Sequence, residues 1–266
     1  LGDVYKRQTL DRTLEYGGKT VPIYRDRPLN VFSDVDFIWT DEENENRRRL
    51  EYLGGEFRTR YGIDVSSFQG EIDWNAVADD NIDFAMVRVG FRGTGTGSLN
   101  TDKYYEQNIR GAMRAGLETG VYFFAQAVTV EEAIEEADYV ISLLDGLDIN
   151  GPVAYDWEMH DSTYRVYGTS PEMATACAVA FCQRIKDAGY TPMVYGGTYV
   201  TYMKYDQGAL ADYLSWYPEY KSEKSEKLCP TLVYHMDYWQ FSSSRAVAGI
   251  CLLYTSPSPR DGATSR

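Results

Sequence analysis

From Tyr61 onward, short apolar runs alternate with longer amphipathic stretches. Phe84–Val89, Val121–Ala125, Val153–Asp156 and Pro192–Tyr195 are runs of strand length, each bounded by turn residues or carboxylates. Between them the spacing predicts helices over Asp102–Ala115, Val130–Leu144 and Pro171–Ala188. The third begins with Ser170 as cap and Pro171 in the first turn. Gly116 and Gly189 stop the first and third. After the fifth strand the helices thin out, and Tyr213–Tyr217 and Leu232–Phe241 read as further strands. Repeated βα units imply a parallel sheet. The fold class expected is α/β: an irregular, TIM-like (β/α) barrel with fewer helices than strands.

Two of these strands end on acid. Tyr61-Gly62-Ile63 runs into Asp64, and Pro152-Val153-Ala154-Tyr155 runs into Asp156-Trp157-Glu158. Alternate residues of a strand share a face, so Asp156 and Glu158 project to one side where the strand ends. In a parallel barrel the C-terminal strand ends converge on one pocket, which brings Asp64 to the same place. Converging carboxylates are what glycosidic cleavage requires: a proton donor for the leaving oxygen and a second acid beside it. Glu158 is the candidate general acid. A carboxyl beside an ionised neighbour has its pKa pushed up, so Asp156 is expected to raise that of Glu158. The bland alternatives are a surface acid pair for Asp156 and Glu158, and a helix cap or turn former for Asp64.

Residues 9–60 are polar and charged without a clear period and read as a linker or irregular extension packed on the domain. Its charge runs, Asp41-Glu42-Glu43 and Arg47-Arg48-Arg49, read as solvated surface. The organisation expected is therefore an extension over residues 1–60, a catalytic barrel over 61–250 and a tail over 251–266. Residues 1–8 and the Ser/Pro-rich tail look foreign, like translated adapter sequence.

With 266 residues, 44% hydrophobic and 25% charged, the chain suits one large globular domain. Its net charge of −14 argues against nucleic acid as a partner, because phosphate binding needs a basic surface. No apolar stretch approaches the roughly 20 residues of a membrane-spanning helix. The four cysteines show no metal or disulfide spacing, and Cys177 and Cys182 point apart on one helix. Asp156, Glu158 and His160 alternate and offer three metal-ligand types, but the chain has only two histidines. No metal and no cofactor are expected. Gly93-Thr94-Gly95-Thr96-Gly97 lacks the lysine of a phosphate loop and reads as a flexible connection.

Aromatic residues make up 14% of the chain, including 23 tyrosines. Sugar rings pack their C–H faces on aromatic planes. Tyr122 and Tyr195 are the better candidates to line the site among strand-borne aromatics. Arg88 shares a face with Phe84 and Met86, and inside a barrel it would need a carboxylate partner, Asp64 or Asp156.

Taken together, Gly62-Ile63-Asp64-Val65-Ser66, Gly70 with Ile72-Asp73-Trp74, the Arg-Val-Gly-Phe-Arg-Gly of residues 88–93, Gly120-Val121-Tyr122-Phe123-Phe124, Asp156-Trp157-Glu158 and Trp239-Gln240-Phe241-Ser242-Ser243 resemble glycoside hydrolase family 25. This family comprises the N-acetylmuramidase-type lysozymes of bacteria and phage. The resemblance runs from about Tyr61 to Ile250. It implies cleavage of the β-1,4 bond from N-acetylmuramic acid to N-acetylglucosamine in peptidoglycan, with no cofactor, by a monomer that is secreted or associated with the wall. Glu158 resembles the catalytic acid, Asp156 its acidic partner and Asp64 the first-strand acid. Tyr122, Tyr195, Trp216 and Gln240 resemble site-lining residues. The pattern departs after Ile250, where Cys251-Leu252-Leu253 stands in place of a last strand carrying another Asp, so the closing strand is expected to be missing. Family 18-like chitinases and endo-N-acetylglucosaminidases are the runner-up, but their longer acidic motif would need Asp at Pro152 and Ala154. A non-catalytic glycan-binding barrel is the alternative outside enzymes.

Overall fold

The computed structural model describes residues 9–40 and 47–250. The two ends read as foreign, residues 1–8 and 251–266, and the acidic run 41–43 lie outside the described residues.

Seven parallel strands form one curled sheet in the order β5 (Gly62–Val65), β6 (Phe84–Arg92), β8 (Glu118–Ala125), β9 (Val153–Trp157), β10 (Pro192–Tyr195), β11 (Leu214–Pro218) and β12 (Tyr238–Gln240). A short strand, β7 (Leu99–Thr101), returns antiparallel against the end of β6. The crossovers carry α1 (Trp74–Asp79), α2 (Tyr105–Arg114), α3 (Val130–Leu143), α4 (Pro171–Asp187) and α5 (Thr198–Met203). There are fewer helices than strands, as the thinning pattern predicts.

Local chemistry sets the boundaries. Ser170 caps α4 by accepting from the Met173 amide, Pro171 fills the first turn, and Gly189 follows the helix at φ +91°. Thr129 caps α3 in the same way through the Glu132 amide. α1, α5 and β7 were not legible: each is six residues or fewer, too short to show a period.

Strand alternation divides the core in two. Outward residues such as Val87, Val121, Phe123, Val153 and Tyr155 pack beneath the helices against Ile109, Val140, Phe181 and Ile185. Inward residues Met86, Tyr122, Ala154, Met193, Tyr195 and Trp216 fill the concave side. Gly120 is needed on this side, since a Cβ there would come within 2.6 Å of Met86 Sδ and 2.7 Å of the Pro152 carbonyl oxygen.

Between β5 and β12 there is no ladder. Side chains bridge the gap: Phe84 of β6, beside Gly62 in the register, lies edge-on to Tyr238 at 5.1 Å, and Gln240 Nε2 donates to Asp64 Oδ2 at 2.9 Å. Beside this seam lies a cavity of about 420 Å3, bounded on its outer side by Phe32, Phe37, Tyr52 and Phe57.

Two expectations are corrected. The segment before Tyr61 is not irregular: β1 (Leu10–Tyr16) and β2 (Lys19–Tyr24) form an antiparallel hairpin, as do β3 (Phe37–Trp39) and β4 (Leu50–Tyr52). Gly17 and Gly18, both at positive φ, make the first turn, and Val21 and Ile23 alternate inward, so the signal was present but short. Ile23 packs with Tyr217, Leu232, Tyr234 and Met236. The Arg47–Arg49 run is not simply solvated either, because Arg47 and Arg49 both pair with Asp80 and Arg49 lies over the Tyr61 ring.

The strand expected over Leu232–Phe241 shortens to Tyr238–Gln240. The backbone of 233–235 is taken by the extension instead: Asn30 N–H donates to the Val233 carbonyl, and His235 N–H donates to that of Pro28.

Candidate functional site

A cavity of about 1250 Å3 opens at the C-terminal ends of the parallel strands. Asp64 from β5, Arg88 from β6, Tyr122 from β8, Asp156 from β9, Glu158 just beyond it, Tyr195 from β10, Trp216 from β11 and Gln240 from β12 all line it. The structure therefore brings together every residue singled out from the sequence.

The β-sheet register explains this convergence. Asp156 sits beside Tyr195 on one neighbour and Phe124 on the other, and Tyr195 sits beside Trp216. The Trp216 ring is edge-on to both Tyr195, at 5.0 Å, and Tyr122, at 5.9 Å. Each ring thus packs on the next across the floor.

The three carboxyls have different environments. Asp156 is buried at the floor, and its Oδ1 has no hydrogen-bond partner among the described residues. Burial first, then the nearby Glu158 and Asp64 charges, push its carboxyl well above the usual range, with Arg88 opposing. The crowding of acids thus registers on Asp156. Asp64 is also raised, by burial and by Glu158, against the Gln240 hydrogen bond that favours its charged form. Tyr195 and Tyr220 both donate to Gln240 Oε1, at 3.1 and 3.3 Å, which fixes the amide so that its NH2 faces Asp64. Glu158 lies higher, with its side chain 23% exposed, and its Oε2 is 2.7 Å from His160 Nε2.

The Arg88 expectation is corrected. Its partner is Asp102, at 2.8 Å, with a further hydrogen bond to Ser67 Oγ. Asp102 also accepts from the backbone N–H groups of Ser67 and Tyr104, so a fully buried loop acid outcompetes the strand-end acids. Arg88 remains at the cavity wall between the rings of Phe68 and Phe91.

Glu158 is held by its backbone as well. Gln126, fully buried, donates from Nε2 to the Glu158 carbonyl at 2.8 Å. Arg165 ties the loop beyond to Glu132 at 2.7 Å and to the carbonyl of Gln126, and its own N–H reaches Thr94. The Gly93–Gly97 segment, expected to be a flexible connection, is the turn between β6 and β7 and forms one wall of the cavity. Sequence reasoning missed Tyr220, Gln126, Asp102 and the contact from His160 to Glu158. Gln126 and Asp102 act on chain segments distant in sequence, and nothing local announces them.

Asp156→Asn is expected to separate function from stability. Native Asp156 keeps its proton above the pH, about 3.9, at which an unfolded aspartate releases it. The folded state then binds more protons than the unfolded one, and stability falls as pH rises. Asn removes that cost. The variant should melt higher than the parent at neutral pH, with the gap closing toward pH 4, while activity falls about 10²-fold or more through lost orientation of the substrate. Melting curves at the two pH values and one rate assay check this.

A set of acids at the C-terminal rim of a curled parallel sheet, with an aromatic floor, is the arrangement glycosidic cleavage needs. The model of glycosyl hydrolases family 25 matches residues 63–250, and the chain belongs to that family. An autolytic lysozyme of Clostridium acetobutylicum is 26% identical over 190 residues, which covers 71% of this chain and 52% of the relative. The chain thus spans about half the length of that relative. In fold it is similar to the bacterial lysozyme from Streptomyces coelicolor, with TM-score 0.59 and 23% identity over 74% of this chain and 91% of that one. It is also similar to the modular autolysin LytC from Streptococcus pneumoniae, with TM-score 0.63 and 23% identity over 90% and 56%.

Proposed function

We propose that this chain hydrolyses peptidoglycan at the β-1,4 bond from N-acetylmuramic acid to N-acetylglucosamine. Glu158 donates the proton to the leaving oxygen. Asp156 orients the 2-acetamido group, whose carbonyl oxygen attacks the anomeric carbon. Water then opens the resulting ring with Glu158 as base, and the configuration is retained. The observation that carries this reading is the buried, unpartnered Asp156 Oδ1 at the cavity floor, an acceptor suited to the acetamido N–H. Asp156 and Glu158 also interact through a side-chain hydrogen bond, closer than the separation of about 6.5–9.5 Å that inverting enzymes need. Family membership and the similar autolytic lysozyme support the substrate class. Asp64 lends charge, while Tyr122, Tyr195, Trp216, Gln240 and Arg88 bind the sugars. The protein works as a monomer, secreted or at the cell wall. No helix among the described residues is long and apolar enough to cross a membrane.

The test is turbidity loss on purified cell walls, with the new reducing ends identified. Muramic acid ends released first as the β-anomer, unaffected by EDTA, are expected. N-acetylglucosamine ends would overturn the bond assignment, and α-anomer would overturn retention.

A further inference from the structure

The mechanism above uses Glu158 and leaves one hydrogen-bond partner of its side chain unexplained. His160 lies at the cavity wall with its side chain 43% exposed, its Nε2 2.7 Å from Glu158 Oε2 and its ring edge-on to Tyr164 at 5.3 Å. The Glu158 carbonyl is pinned separately by Gln126, so the two contacts fix the residue at its main chain and at its acid group.

Resting on the reading of Glu158 as general acid, we propose that His160 is a positioning residue that stores the proton Glu158 delivers. Imidazole is the stronger base of the two group types, and the 2.7 Å contact gives one proton a direct path between them. The imidazolium passes its Nε2 proton to Glu158 Oε2, the carboxyl turns about its Cγ–Cδ bond, and the proton goes to the leaving oxygen as the glycosidic C–O bond breaks. In the second half the carboxylate takes a proton from the attacking water and returns it across the same contact. The histidine is then charged as before, and no co-reactant is needed. Its exposure lets solvent refill it.

The groups facing the pair across the cavity support this assignment. Asp64 from β5 and Asp156 from β9 favour the imidazolium to the extent that they ionise. Arg88 and Arg92 from β6 are each neutralised, by Asp102 and by Glu135 with Glu136. Tyr195 and Tyr220 have their phenols pushed up by burial and stay neutral. Asp161, next in the chain, is engaged by Thr163.

The experiment is the pH profile of wall lysis, each protein normalised to its own maximum, for the parent, His160→Gln and His160→Phe. The alkaline limb should move toward acid in both variants, by up to about 2 units, the gap between a free imidazole and a free carboxyl. A limb unmoved in His160→Gln overturns the proposal. Proton sharing is also read without turnover. With only two histidines in the chain, the His160 imidazole is assigned by NMR from the variant that lacks it. Its titration midpoint should fall in Glu158→Gln, and an unchanged midpoint overturns the proposal even if walls are cleaved. A parent that shows the coupled midpoint but cleaves no wall would overturn the muramidase reading and, with it, the storage role.

Discussion

Glu158→Gln is expected to reduce wall hydrolysis by about 10²–10⁴-fold, the usual contribution of one general acid. The amide keeps the shape of the carboxyl and can still meet His160, but it has no proton to give. The fold should be untouched, because Glu158 stands near the cavity mouth and its structural bond, the one from Gln126, is to its carbonyl. Circular dichroism and melting temperature should match the parent. Comparable lysis by the two proteins would remove Glu158 from the mechanism.

The largest loss of stability is expected from Arg92→Ala. Arg92 and Glu136 have side chains 4% and 0% exposed and lie 2.7 Å apart. Arg92 also pairs with Glu135 and donates to the carbonyls of Gly97 and Glu132, joining the β6–β7 turn to α3. Removing one partner of a buried pair leaves an uncompensated charge and costs about 3–5 kcal/mol. Glu136 has one escape, since burial already pushes its carboxyl up to about 7 despite Arg92. A native group that holds its proton to pH 7, against about 4.3 when unfolded, makes stability fall as pH rises between those values. Without Arg92 the carboxyl holds its proton longer, and that fall continues to higher pH. Urea denaturation should therefore show a smaller penalty at pH 5 than at pH 8, and Arg92→Met with Glu136→Leu should recover most of it. Equal penalties at both pH values would show that packing, not charge, dominates.

The parallel sheet and its acids were legible because both depend on local pattern. Val153–Tyr155 is apolar enough to mark a buried strand, and alternation carries Asp156 inward with Ala154 and leaves Tyr155 under α4 against Phe181, 4.8 Å away. The Ser170-Pro171 start and Gly189 stop of α4 are chemical signals as well. What stayed hidden depends on distant partners. Nothing near Arg88 says that Asp102 will take it, because that choice is made where the β7–α2 loop folds over Ser67. Likewise, the short strand at Tyr238 follows from the extension claiming the backbone before it, across about 200 residues.

The seam between β5 and β12 has a kinetic meaning. Interior strands such as β8 and β9 have a ladder on each side, so their amides are expected to be among the last to exchange. β12 has three residues, one ladder neighbour and a single glutamine reaching across to Asp64. Its excursions need not disturb the helices, yet each one releases the amide that faces a cavity acid. One wall of the site is therefore mounted on a short edge strand. On warming, catalytic competence should leave the molecule ahead of its secondary structure.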